Sequence, residues 1–144
     1  MTLFFGVLFS LVEMQKITPV LSQSLQLTPI FEDVNLYPKS PQNRMIIRGL
    51  SGGPISAKKT TGRENTVTGP CVGFIDQEPD HRLILNGFFK SLKLEVKSSE
   101  DTTLVIRGPG GSWCNDDFEG KNPGIIGQWF SGTYDIWIGS YQRN

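Results

Sequence analysis

Leu92-Lys93-Leu94-Glu95-Val96-Lys97 alternates apolar and charged residues with a period of two. Successive side chains of a strand point to opposite faces, so Leu92, Leu94 and Val96 share one face while Lys93, Glu95 and Lys97 share the other. That one-sided apolarity marks an antiparallel sheet with one face on a core and one in water. Working outward, Arg82 to Phe89 and Thr102 to Arg107 read as further strands, separated by turns at 77–80 and 98–101. Thr133 to Tyr141 reads as the last strand, with Tyr134, Ile136 and Ile138 on one side and Asp135 and Trp137 on the other. Short strands joined by turns, in a chain with 16 Gly and 9 Pro, place the protein in the all-β class.

The chain of 144 residues is long enough for one hydrophobic core and one domain. Its 14 basic residues are matched by 14 acidic ones without a basic run, so it lacks the electrostatic footprint of a nucleic-acid binder. Residues 1–22 hold an apolar run from Leu3 to Val12, followed by Val20-Leu21-Ser22, and are read as a signal peptide cleaved before Gln23. The run is too short to span a bilayer, so the processed protein is expected to be secreted, extracellular or periplasmic, and not an integral membrane protein. Residues 23–43 form a polar lead-in with one edge-strand candidate from Phe31 to Leu36. The domain is expected over 44–144, with Met45-Ile46-Ile47-Arg48 opening the continuous strand pattern.

Cys71 and Cys114 are the two cysteines, and an even count in an exported chain is read as one disulfide. Closing so long a loop contributes roughly 3 to 4 kcal/mol by the chain-entropy model. The alternative is a pair of buried free thiols in a cytoplasmic protein.

Gly49-Leu50-Ser51-Gly52-Gly53 fits the G-x-S-x-G spacing of serine hydrolases, with His81 as the one available base. Pro54 and a polar stretch follow where a helix should, so the segment reads as a glycine turn and a small hydrolase is a minor alternative. Asp101, Asn115, Asp116 and Asp117 supply the hard oxygen ligands that calcium prefers, although their spacing is not that of an EF-hand. The competing reading is that Asn and Asp side chains cap the backbone of their own loop. Trp113, Trp129, Phe130 and Trp137 are candidates for a platform that stacks on sugar rings, or for core residues. Trp137 is expected to be the most exposed, because it lies opposite Ile136 and Ile138.

Taken in order, Asp101-Thr102-Thr103-Leu104-Val105-Ile106, Cys114-Asn115-Asp116-Asp117, Asn122-Pro123-Gly124-Ile125 and Gly132-Thr133-Tyr134-Asp135-Ile136-Trp137-Ile138-Gly139 resemble the bacterial pre-peptidase C-terminal domain in a stand-alone secreted form. The resemblance covers about Arg82 to Tyr141. It implies a jelly-roll-like antiparallel β-sandwich, secreted, usually appended to exported enzymes and sometimes binding calcium or polymeric substrates. Calcium ligation carries over to Asp101, Asn115, Asp116 and Asp117. Peptidase activity does not, because no catalytic domain is read beside the module, and the cysteine pair is not a general feature of the family. The expectation is a non-enzymatic binding or structural module, calcium-stabilised, whose partner is a polysaccharide or another surface protein. The alternatives are a calcium-assisted carbohydrate-binding domain using Trp137 and a self-associating extracellular fibre subunit.

Overall fold

The computed structural model describes residues 27–40 and 44–143. The signal-peptide reading of 1–22 falls outside the described residues. Eleven strands and one short helix follow in order: β1 (Glu32–Leu36), β2 (Ile55–Ser56), α1 (Ala57–Thr61), β3 (Asn65–Thr66), β4 (Gly69–Pro70), β5 (Phe74–Ile75), β6 (His81–Leu85), β7 (Phe89–Glu95), β8 (Thr102–Gly108), β9 (Gly111–Asn115), β10 (Gly124–Trp129) and β11 (Gly132–Ser140). Together they make an all-β antiparallel sandwich in a single domain.

The main sheet is built on β11. It pairs antiparallel with β6 over Gly132–Ile136 on one edge and with β8 over Asp135–Ser140 on the other. β9 extends the sheet beyond β8, and β1 extends it beyond β6. The β1 pairing is parallel, so the edge strand expected within the lead-in adds a parallel pair to an otherwise antiparallel architecture. β7 and β10 form a second, two-stranded sheet. It covers one face of the main sheet, enclosing Leu83, Leu85, Leu104, Ile106, Tyr134 and Ile136 between the layers.

The alternation of Leu92 and Leu94 holds in β7, where both pack on that core while Lys93 stays exposed. Two sequence expectations need correction. The run Arg82 to Phe89 is not one strand, because Asn86 and Gly87 break it, with Gly87 at φ 140°, and the chain crosses there from the main sheet to the second. Met45-Ile46-Ile47-Arg48 forms no strand: Ile47 packs on the core, whereas Met45 and Ile46 are exposed and make no ladder with β1.

Where β11 leaves β6, before it meets β5 at Ser140, other groups complete the ladder. The Ile138 N–H donates to Asp80 Oδ2 at 2.6 Å, and the Ile138 carbonyl accepts the Gly52 N–H at 3.2 Å. A Cβ at Gly53 would lie 2.1 Å from the Ile75 carbonyl carbon, and its φ is 148°. The Gly52-Gly53 pair therefore serves backbone approach, which accounts for the serine-hydrolase-like spacing in structural terms.

Candidate functional site

The face of the main sheet away from β7 and β10 decides the standing of Trp137. There Ala57, Cys71, Ile75, Val105 and Cys114 close over its indole, and the Arg107 guanidinium lies 5.0 Å from the ring centroid. Trp137 has 0% exposure. The expectation that it presents a ligand surface is thus corrected: alternation places it opposite Ile136, as read, but the segment 54–75 covers that face as well. Burial of a large aromatic is the stronger demand, since removing such a side chain from a core costs about 3 to 5 kcal/mol.

The disulfide between Cys71 and Cys114 is present and fastens this cover to β9. Threonines reinforce it. The Cys114 N–H donates to Thr66 Oγ1 at 2.9 Å, and the Thr68 hydroxyl donates to the Cys114 carbonyl at 2.8 Å. At Cys114 the outer edge of β9 is in this way satisfied by side chains instead of a further strand.

Trp113 is the neighbour of Cys114 on β9, so its ring points the opposite way, into the space between the two sheets. There it meets Trp129 at 6.5 Å and Tyr134 at 6.3 Å between ring centroids. Trp129 and Tyr134 meet edge to face at 5.1 Å, a favoured aromatic geometry. Trp129 and Tyr134 are each also pinned by a polar bond: Trp129 Nε1 donates to the Leu92 carbonyl at 3.0 Å, and the Tyr134 hydroxyl donates to the Phe130 carbonyl at 2.9 Å. A shift in the β7–β10 register between Gly127 and Trp129 aims Trp129 inward.

These rings wall a cleft of about 260 Å³, closed by Pro109, Gly110 and Ile125 and opened at its rim by Gln128 and Phe130. Phe130 is 68% exposed and contacts Phe88 at 5.8 Å. The glycine turn at 108–111 fits closely here. A Cβ at Gly108 would sit 2.2 Å from the Tyr134 ring, and one at Gly132 would sit 2.5 Å from Pro109. Burial raises the Tyr134 hydroxyl above the ordinary phenol range, so it stays protonated as a donor. No carboxylate, imidazole, amine or thiol lines the cleft, and its chemistry is stacking plus a side-chain amide at the rim.

The acidic loop is organised differently. Asn115 spends both ends of its amide on backbone: Nδ2 donates to the Thr68 carbonyl at 2.8 Å, and Oδ1 accepts the Gly124 N–H at 3.0 Å. Burial, then the charge of Asp117, and more weakly that of Asp101, raise the Asp116 carboxyl above its usual range. The three carboxylates thus share an electrostatic field. No three His, Cys, Asp or Glu side chains converge on a metal position among the described residues. Glu119 is held by Lys97 at 3.0 Å, and Asn122 Oδ1 accepts the Ser98 N–H at 3.1 Å.

Ser51 and His81, the pair named for a hydrolase, make no hydrogen bond to each other. His81 is buried, stacks on Phe31 at 5.3 Å, and has its pKa lowered by that burial. Of the aromatic candidates, the structure brings Trp113, Trp129 and Phe130 together and places Trp137 elsewhere. Sequence reasoning missed Tyr134, Gln128 and Pro109 as lining residues. The glycine turn around Pro109 was the available signal.

No family model matches the chain. An uncharacterized protein of the cyanobacterium Synechococcus elongatus is 30% identical over 74 residues, covering 49% of this chain and 55% of that protein. The chain therefore spans about half the length of the curated relative it matches. No solved structure matches.

Proposed function

We propose that the chain is a non-enzymatic, exported binding module that takes a sugar ring of a polysaccharide into the aromatic cleft, at the cell surface or outside the cell. The observation that carries this reading is the wall of Trp113, Trp129 and Tyr134, open at Phe130 and without a carboxylate, imidazole, amine or thiol. A pyranose offers an apolar face of C–H bonds and a polar rim of hydroxyls, matching a ring wall with one amide at its edge. The Cys71–Cys114 bridge supports export, since such bonds persist in oxidising compartments. No helix among the described residues is long and apolar enough to cross a membrane.

The test is sedimentation of the protein with insoluble cellulose, chitin, xylan and β-1,3-glucan, followed by tryptophan-fluorescence titration with soluble oligosaccharides of whichever polymer retains it. Phe130→Ala should weaken the retained interaction about 5- to 10-fold, as expected for one lost aromatic contact, while leaving the fold intact because the ring is largely exposed. Failure to bind all four polymers, or binding indifferent to Phe130→Ala, would reject the cleft as a sugar site.

A further inference from the structure

The β9 and β1 edges of the main sheet are treated unequally. At β9 the edge is covered by Thr66 and Thr68, whose hydroxyls occupy the Cys114 N–H and carbonyl. At the other edge β1 pairs with β6 alone, and no described strand or side chain bonds its outer side. The Leu36 carbonyl accepts the Asn86 N–H at 2.9 Å, which fixes the alternation: Glu32, Val34 and Leu36 direct their backbone groups to β6. Asp33 and Asn35 direct theirs outward. A groove of about 320 Å³ separates this edge from residues 45–47, and Met45 and Ile46 on its far wall are 48% and 69% exposed.

From this geometry we infer that β1 is a self-association edge, which a second copy of the chain joins through its own β1, antiparallel and two-fold symmetric about Val34. Register argues for this occupant. Centred on Val34, an antiparallel pair places Asp33 directly opposite Asn35 of the other copy, in both directions. These are the two residues with outward backbone groups, so each pair exchanges two main-chain hydrogen bonds. The facing side chains are complementary as well, a carboxylate against an amide that can donate to it. Glu32 falls opposite Leu36, so no acid faces an acid. A parallel in-register pairing would set Asp33 beside Asp33 and is disfavoured by repulsion. The incoming strand fills the groove and covers Met45 and Ile46. A two-fold contact uses the β1 edge of both copies, so the pairing closes at two copies and does not grow into a fibre.

The inference predicts a concentration-dependent monomer–dimer equilibrium, read by sedimentation velocity of the wild-type chain from micromolar to near-millimolar protein. Asn35→Asp places two acid pairs across the junction and should weaken dimerisation at least about tenfold. The swap Asp33→Asn with Asn35→Asp restores an acid–amide pair at each position, and should return the dimer to within about twofold of wild type. Both side chains are exposed, and circular dichroism checks that each variant folds. A wild-type chain that is monomeric throughout would overturn the inference. So would an Asn35→Asp variant that dimerises as well as wild type, or a swap that fails to recover.

Discussion

Asp80 is the side chain whose replacement should speak most directly to how the main sheet is held. It is 1% exposed, its Oδ2 accepts the Ile138 N–H at 2.6 Å, and its Oδ1 has no hydrogen-bond partner among the described residues. Burial, with a smaller contribution from Asp76, overcomes the Ile138 N–H bond and pushes the carboxyl up to about 7. The unfolded chain titrates at an ordinary carboxylate value of about 4, so the folded protein binds this proton more tightly. The stabilisation that results is complete below about pH 4 and is lost as pH rises through about 7. A gap of about 3 pH units corresponds to roughly 4 kcal/mol. Asp80→Asn keeps an acceptor for Ile138 and removes the titration. Urea denaturation of both proteins between pH 4 and pH 8 should therefore show the variant gaining roughly 4 kcal/mol over wild type across that range. His81 acts in the opposite sense, since its lowered pKa withdraws stability as pH falls, but it is common to both proteins and cancels in the difference. A difference that stays constant from pH 4 to pH 8 would refute the account of Asp80 as a protonated rung of the β11 ladder.

Two other perturbations test the brace and the cleft. Replacing both Cys71 and Cys114 with alanine opens a link across a sequence separation of 43 residues and should cost about 4 kcal/mol by the chain-entropy model, measured as a fall in denaturation midpoint; a loss below about 1 kcal/mol would contradict it. Gly108→Ala drives a methyl group into the Tyr134 ring, and should destabilise the fold by about 1 to 3 kcal/mol while weakening any ligand held by Trp113 and Trp129. Unchanged stability would show that the turn does not constrain Tyr134.

How far the sequence discloses this molecule depends on which physical signal each part leaves. Strands with one wet face write themselves as alternation, so β7 is legible from Leu92 and Leu94 against Lys93. The β8 strand, buried at every residue from Thr102 to Ile106, is legible as a continuous apolar and threonine run. Pairing is not written locally. That Glu32–Leu36 is a strand shows in its composition, but its parallel union with His81–Leu85 is settled by the crossover between them. Trp137 shows the same limit at one residue. Alternation fixes the side of β11 on which it stands, yet what lies over that side is the far segment 54–75, which carries almost no strand pattern. The cleft was half legible for a related reason: Trp113, Trp129 and Phe130 stand out as aromatics, whereas Tyr134 alternates with Ile136 and Ile138 and reads as core. It is core and wall at once.

That double role suggests why the disulfide and the cleft occupy adjacent positions. Trp113 and Cys114 are neighbours on β9 and so point to opposite faces of the sheet. The covalent bond and the Thr66 and Thr68 hydroxyls act on the Cys114 side or the strand edge, and the Asn115 amide ties the end of the strand to Thr68 and to Gly124 of β10, so the Trp113 ring itself is held by ring contacts. The strand is fixed from behind, and the indole is held in place without any bond that a ligand must displace. A ring positioned in this way loses little conformational freedom on binding, which is where preorganised sites gain affinity. Reduction of Cys71–Cys114 should consequently weaken ligand binding beyond what its effect on global stability accounts for, because it loosens the one strand that carries Trp113. Equal affinity of the oxidised and reduced proteins, under conditions where both are fully folded, would separate the brace from the site.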